Sequence, residues 1–300
     1  MPNPETNHLF CFGLGYSAAC LAARLAMAGW TISGTSRSEG QAEKLRHLGY
    51  KMYVFDGREP RPGDWFNNVT HIVNSVPPGK ESISGFDPVL SHFADIISQL
   101  PMLRWLGYLS TTGVYGNTDG AWVDEMSPLL PSAPRSANRV EVERAWVDFA
   151  GAYNLPFHIF RLAGIYGPGR NVLNAALAGQ APRIIKAGHQ FSRIHVEDIA
   201  KILEASMKKP NSGAIYNVCD DEPAAAADVA SYAYKLLGIP PTPEIVFEEA
   251  AASMSDMGKS FWKDNRRVNN DKIKKELGVR LTYPTYRDGL KAIYETDFAT

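Results

Sequence analysis

Apolar residues in the first half of the chain alternate between short unbroken runs and stretches with a helical repeat. His8–Phe12, Thr31–Thr35, Lys51–Phe55, His71–Val76 and Trp105–Ser110 are runs of strand length, bounded by glycine, proline and polar residues. Between them, Tyr16–Ala28 sets Ala18, Leu21, Ala22 and Leu25 on one helical face and stops at Gly29. Ser38 opens a second helix that ends at Gly49, and Phe86–Leu100 reads as a third. A proline-rich loop from Ser127 to Pro134 precedes a fourth helix, Asn138–Tyr153, with Val142, Trp146, Phe149 and Tyr153 on its apolar face. Pro156 ends it, and Phe157–Leu162 is a sixth strand. Strands alternating with helices predict βαβ units and a parallel sheet, hence an α/β fold.

Beyond Gly169 the regularity weakens and short elements alternate with proline and glycine. Ala214–Val218 reads as a strand returning to the main sheet, and Tyr283–Tyr294 as a closing helix. The expected division is a nucleotide-binding domain over 1–165, joined by about 195–220, and a small α+β substrate-side domain over 166–194 and 221–300.

Composition narrows the function classes. The chain has 300 residues, 45% hydrophobic and 21% charged, with a formal net charge of −1. A nucleic-acid or membrane-surface binder would carry a basic excess. The first eight residues are polar, unlike a signal peptide, and no run of about 18 apolar residues predicts a membrane span. Cys11, Cys20 and Cys219 have no C-x-x-C spacing and read as buried small hydrophobes in a reducing compartment, the cytoplasm. The seven histidines lack zinc spacing, so no metal is expected, and His195 reads as a structural residue at a strand-to-helix junction. No G-x-S-x-G elbow occurs, and Pro78-Gly79-Lys80 lacks the rest of a P-loop.

One turn carries chemistry. Gly13-Leu14-Gly15-Tyr16-Ser17-Ala18 fits G-x-G-x-x-G/A and lies between the first strand and the first helix. In that setting Gly13 permits the tight turn, Gly15 lets backbone approach a diphosphate, and Ala18 lets helix and strand pack closely. The diphosphate would rest on the helix N-terminus, where free N–H groups and the helix dipole favour anions. This predicts a Rossmann doubly wound sheet holding a nicotinamide dinucleotide. An NAD site places a carboxylate roughly 20 residues on, for the ribose hydroxyls. Here Ser36 and Arg37 stand instead, and a guanidinium fork suits a 2′-phosphate, so NADP is expected over NAD. Asp56, after the third strand, is placed to bond the adenine edge, or is a turn aspartate before Gly57. Ser75, near the end of the fourth strand, joins the expected cofactor set.

Further segments resemble the extended short-chain dehydrogenase/reductases, the group of NAD(P)-dependent epimerases and dehydratases. They are Leu109-Ser110-Thr111-Thr112-Gly113-Val114-Tyr115-Gly116, Asp124-Glu125 before the proline-rich stretch, and Arg161-Leu162-Ala163-Gly164-Ile165-Tyr166-Gly167-Pro168-Gly169. Arg193-Ile194-His195-Val196-Glu197-Asp198-Ile199-Ala200 and Tyr216-Asn217-Val218 follow in order. The resemblance implies a small-molecule substrate such as a nucleotide sugar, cofactor contacts at Gly164 and Ile165, and allows a homodimer. It also implies a Ser/Thr, a Tyr and a Lys at the reacting oxygen. Thr111 matches the first role. Aligning the downstream K-x-x-x-E pattern on Arg139-Val140-Glu141-Val142-Glu143 places Arg139 at the Lys position and Arg135 at the Tyr position. A guanidinium stays protonated and only donates, so Arg135 cannot exchange a proton. Arg139 can still hold a ribose or phosphate. Tyr115 offers a substitute phenol, or a packing residue in its turn. Two readings follow: an oxidoreductase or epimerase/dehydratase-like enzyme with an altered proton path, or a dinucleotide-binding sensor without turnover. Arg266 and Arg267 are expected either to meet a substrate phosphate or to lie on the surface.

Overall fold

The computed structural model describes residues 7–58, 60, 62–79 and 86–299. Lys80 and residues 1–6 of the polar leader segment lie outside them. The first half runs β1 (His8–Phe12), α1 (Tyr16–Met27), β2 (Thr31–Ser36), α2 (Glu39–Arg46), β3 (Lys51–Val54), β4 (His71–Asn74), α3 (Pro88–Ser98) and β5 (Trp105–Thr111). A 3₁₀ turn over Thr112–Tyr115 and β6 (Trp122–Val123) precede α4 (Pro134–Ala152). Then come β7 (Phe157–Leu162), β8 (Gly164–Tyr166), α5 (Val172–Leu177), β9 (Arg183–Ile185), β10 (Arg193–His195), α6 (Val196–Lys208) and β11 (Ile215–Val218). The chain closes with α7 (Ala226–Leu237), β12 (Glu244–Val246), α8 (Phe247–Ser253), α9 (Asp256–Phe261), β13 (Arg267–Val268), α10 (Asp271–Leu277) and α11 (Tyr286–Asp297).

Seven parallel strands form the central sheet in the order β11-β7-β5-β4-β1-β2-β3. β1 lies between β2 and β4, with Phe10 opposite Ser33 on one side and Ile72 on the other. All five β1 residues are buried, as in a strand covered on both faces. The chain builds outward from β1 through β2 to β3 and then crosses to β4, so the order reverses between β1 and β4. Open α/β sheets bind ligands at the carboxyl ends of the strands at such a reversal.

Two compact units divide the chain. The first comprises 1–111, 137–161 and 199–216. Its core joins Phe10, Phe12 and Phe93 to Tyr108, Trp146 and Phe157. Trp146 is fully buried, and its indole N–H reaches Asp87 Oδ2 at 3.3 Å. Asp87 also caps α3, accepting from Val89 N and Leu90 N. The second unit comprises 112–136, 162–198 and 217–300, with a core around Tyr166, Leu173, Tyr234 and Tyr286. Segment 112–136, expected with the nucleotide-binding domain, packs in this second unit. Within it Asp198 accepts from Thr282 N and Tyr283 N at 2.7 and 2.9 Å, fixing the approach to α11. His195 ends β10 directly before α6 and packs against Tyr283, the rings tilted by 51° with centroids 4.0 Å apart.

Three helix starts differ from expectation. α3 begins at Pro88 rather than Phe86, behind the Asp87 cap. α4 begins at Pro134 rather than Asn138, because proline is tolerated in a first helical turn, where its missing N–H is not needed. Arg135 is therefore helical. α11 begins at Tyr286 rather than Tyr283, set by the capping box between Thr285 and Asp288. Among the cysteines, Cys11 and Cys219 are buried as expected, whereas Cys20 is only partly so.

Candidate functional site

The turn after β1 is braced by three hydrogen bonds, two to Thr35 and one from Ser75. Gly13 has φ +73°, a left-handed conformation that favours glycine. Its N–H donates to Thr35 Oγ1 at 2.9 Å, and Leu14 N–H to the Thr35 carbonyl at 2.8 Å. The Ser75 hydroxyl donates to the Gly13 carbonyl. Gly15 is the residue before α1 and is exposed, and a Cβ built on it would meet nothing nearer than the Gly13 oxygen at 4.0 Å. The N-cap residue, Gly15, has no side chain to cap α1, and the first turn holds no acid. The helix therefore presents uncapped N–H groups and an unneutralised positive dipole end, which is what a diphosphate needs. Tyr16 opens α1 half-buried, Ser17 is buried, and Ala18 is fully buried against the sheet.

The ends of β2 and β3 differ in character. Ser36 is buried, its hydroxyl turned to the Ser38 carbonyl at 3.3 Å. Arg37 is exposed and makes no hydrogen bond or ion pair with the described residues. Asp56 is also exposed, and its Oδ1 accepts from Arg58 N at 3.1 Å, the bond of a turn aspartate.

Thr111, partly exposed, ends β5. Beside that strand, α4 is locked on two successive turns. Arg139 Nη1 donates to the Leu109 carbonyl at 2.8 Å and to the Tyr108 hydroxyl at 3.0 Å. One turn on, Glu143 accepts from Ser110 Oγ at 2.5 Å and pairs with Arg161 at 2.8 Å. Both side chains of this ion pair are almost fully buried, 4% and 3% exposed. Breaking such a pair strands a buried charge, at a cost of about 3–5 kcal/mol. Sequence reasoning quoted Glu143 and Arg161 only as parts of two motifs. Nothing in one sequence pairs residues 18 positions apart on different elements.

Within the second unit, Tyr115 is fully buried and its hydroxyl donates to Asn217 Oδ1 at 2.7 Å. Of the two readings of Tyr115, substitute phenol or packing residue, this burial and hydrogen bond fit the packing residue. The Asn217 backbone N–H in turn donates to Glu125 Oε1 at 2.7 Å. Burial pushes the Glu125 carboxyl up from its ordinary range. Arg135 is exposed, its guanidinium 4.3 Å from the centroid of the Phe261 ring. Arg266 donates to the Gly116 carbonyl at 2.9 Å and pairs with Asp264 at 3.0 Å, while Arg267 Nε donates to Gln190 at 2.9 Å. Both are part-buried structural contacts rather than bare surface charges. Gly164 and Ile165 lie on β8, paired with β10. Among the described residues no group of three or more His, Cys, Asp or Glu could hold a metal ion, and no helix is long and apolar enough to cross a membrane.

The parallel seven-stranded sheet with a glycine turn at its order reversal defines a Rossmann-like α/β fold. Residues 96–219 match the model of the NAD dependent epimerase/dehydratase family. It is 49% identical to a functionally unknown conserved protein from Silicibacter pomeroyi DSS, whose structure matches with a TM-score of 0.88 over 97% of this chain and 99% of that one. Protein YeeZ of Escherichia coli K12 is 28% identical over 285 residues, covering 91% of this chain and 94% of YeeZ. The fold is shared with dTDP-glucose 4,6-dehydratase from Bacillus anthracis in complex with NAD, at 20% identity, with a TM-score of 0.76 and 97% of each chain covered.

Proposed function

We propose that the first unit binds NADP(H), with the diphosphate on the N-terminus of α1 and the 2′-phosphate at Ser36 and Arg37. In this reading the protein is an oxidoreductase or epimerase/dehydratase-like enzyme acting on a polar carbonyl or hydroxyl substrate such as a nucleotide sugar. Arg37 carries the cofactor assignment: an exposed guanidinium with no partner among the described residues, directly after β2 where NAD sites carry an acid. Three free cysteines fit a reducing compartment, the cytoplasm.

The nicotinamide, when bound, supplies or accepts the hydride. Thr111 orients the substrate oxygen through its hydroxyl. Arg139 stabilises negative charge developing there, since a guanidinium donates hydrogen bonds without giving up its proton. We do not route the proton through Tyr115, whose hydroxyl is engaged by Asn217. Asp56, tied to its own turn, is left with at most a weak contact to adenine.

A second reading is a dinucleotide-binding sensor without turnover. It is favoured by the use already made of the two arginines: Arg139 bonds β5, and Arg135 stacks on Phe261. Titration with NADPH and NADH, followed by a search for NADPH oxidation with sugar nucleotides and generic carbonyls, separates the readings. Equal affinity for the two cofactors sinks the NADP assignment. Binding with no oxidation of any substrate leaves the sensor.

A further inference from the structure

Asp87, buried in the first unit, makes more bonds than a helix cap requires. Its Oδ1 accepts from Val89 N at 2.8 Å and Leu90 N at 3.0 Å, which caps α3. A serine or asparagine would cap the helix as well, with no ionisable group to bury. Burial pushes the Asp87 carboxyl up from its ordinary range, so the charged form is disfavoured there. The second oxygen shows what else the carboxylate does. Oδ2 accepts from Asn74 Nδ2 at 3.4 Å, at the end of β4, and from Trp146 Nε1 at 3.3 Å, on α4.

Asn74 carries the contact on toward the glycine turn. It is fully buried, and its Oδ1 accepts from Val76 N at 2.9 Å. With the amide oxygen on Val76, the amide nitrogen must face Asp87. Asn74 thus pins the backbone on the far side of Ser75. The Ser75 hydroxyl donates to the Gly13 carbonyl, and its N–H donates to the Phe12 carbonyl at 3.0 Å. A Cβ built on Gly13 would touch Ser75 Oγ and Val76 Cγ2, both at 3.2 Å. Ser75 and Val76 are therefore the wall on which the turn rests.

We infer that Asp87 is a positioning residue of the cofactor site. Through Asn74 and Val76 it holds Ser75 against the Gly13 carbonyl, in the geometry that lets the turn receive a diphosphate. The inference rests on the proposed dinucleotide binding, but not on the preference for NADP.

The polarity of the path makes it separable from a general packing role. In Asp87→Asn the side-chain oxygen can still cap α3, but an amide N–H replaces Oδ2 and meets two donors, Asn74 Nδ2 and Trp146 Nε1. Turning the Asn74 amide relieves the first conflict and leaves the Val76 N–H facing a donor. Adding Asn74→Asp reverses the bond. One oxygen of the new carboxylate takes the Val76 N–H, and the other takes the amide at position 87. The conflict with Trp146 is common to both variants, so the difference between them reports the Asn74 link alone.

The test compares wild type, Asp87→Asn and Asp87→Asn with Asn74→Asp, all as the full chain. Calorimetric titrations with NADPH and NADH are paired with thermal melts. Asp87→Asn should weaken both cofactors by the same factor, about tenfold or more, the scale of one stranded buried donor. The double variant should recover to within about threefold of wild type, while both variants melt below it because of the shared Trp146 conflict. The inference is overturned if folded Asp87→Asn binds like wild type, if it loses affinity for NADPH alone, or if the double variant recovers nothing. Should Asp87→Asn not fold, the double variant decides. Folding with near wild-type affinity upholds the inference, and failure to fold or to bind overturns it. A wild-type protein that binds neither cofactor removes the dinucleotide reading and this inference with it. Wild-type binding without the loss and recovery removes this inference only.

Discussion

Replacing Gly15 by valine should separate ligand binding from folding at a single atom. Gly15 has φ −95° and ψ −164°, an extended conformation open to any L-residue. Its Cβ would meet nothing nearer than 4.0 Å, so the free protein has room for the side chain. Removing glycine from such a position costs no strain and lowers the entropy of the unfolded chain, worth about 0.4–1 kcal/mol in favour of folding. The ligand faces the opposite situation. A diphosphate seated on the uncapped N-terminus of α1 must approach the Gly15 backbone at the place the valine fills. Losing two charge-assisted hydrogen bonds, at about 1.5–3 kcal/mol each, would weaken NADPH by at least about a hundredfold. Gly13→Ala is the contrasting control. There φ is +73°, and a Cβ would press on Ser75 Oγ and Val76 Cγ2 at 3.2 Å. A left-handed alanine costs about 1–2 kcal/mol, so that variant should lose several degrees of melting temperature. Calorimetric titration with NADPH, paired with thermal melts, reads both quantities. A Gly15→Val protein that melts like wild type and binds NADPH with unchanged affinity would refute the placement of the diphosphate.

Other outcomes follow from the same structure. Arg37→Ala should cost about 1.5–3 kcal/mol of NADPH affinity and leave NADH unchanged; an equal loss for both cofactors in parallel titrations contradicts a 2′-phosphate contact. Thr111→Val should lower kcat more than it weakens cofactor binding, and Arg135→Tyr with Arg139→Lys should raise reductase turnover on a simple carbonyl. Turnover that survives Thr111→Val unchanged removes Thr111 from the chemistry. Glu143→Ala should destabilise the first unit by about 3–5 kcal/mol by leaving Arg161 charged and buried; a shift in the urea midpoint worth under about 1 kcal/mol would show the pair to be dispensable. Burial lowers the pKa of His71 and of His158 to about 4. Each therefore contributes stability at pH above about 6.5, lost progressively as pH falls toward 4 because the unfolded state takes up the proton first. Imidazole resonances of either residue titrating near 6.5 in the folded protein would contradict this.

The sequence by itself determined the parallel α/β core and the glycine turn after β1, because both rest on local signals. Continuous apolar runs mark strands covered on both faces, and the spacing of Gly13, Gly15 and Ala18 reports backbone needs confined to six residues. The helix carrying Arg135 was misjudged at its start because proline signals both a loop and a first helical turn, and only the backbone distinguishes them. Tertiary structure alone decided which polar residues were already in use. Tyr115 could be read as a substitute phenol or as a packing residue, and it took Asn217, 102 positions away, to show its hydroxyl engaged. Arg139 looked like a ribose ligand, and it also clasps the carbonyl of Leu109. Glu143 and Arg161 gave no sign of each other in the sequence. Their pairing depends on α4 lying beside the sheet, and a hydrogen bond between distant elements has no periodicity for a sequence to display.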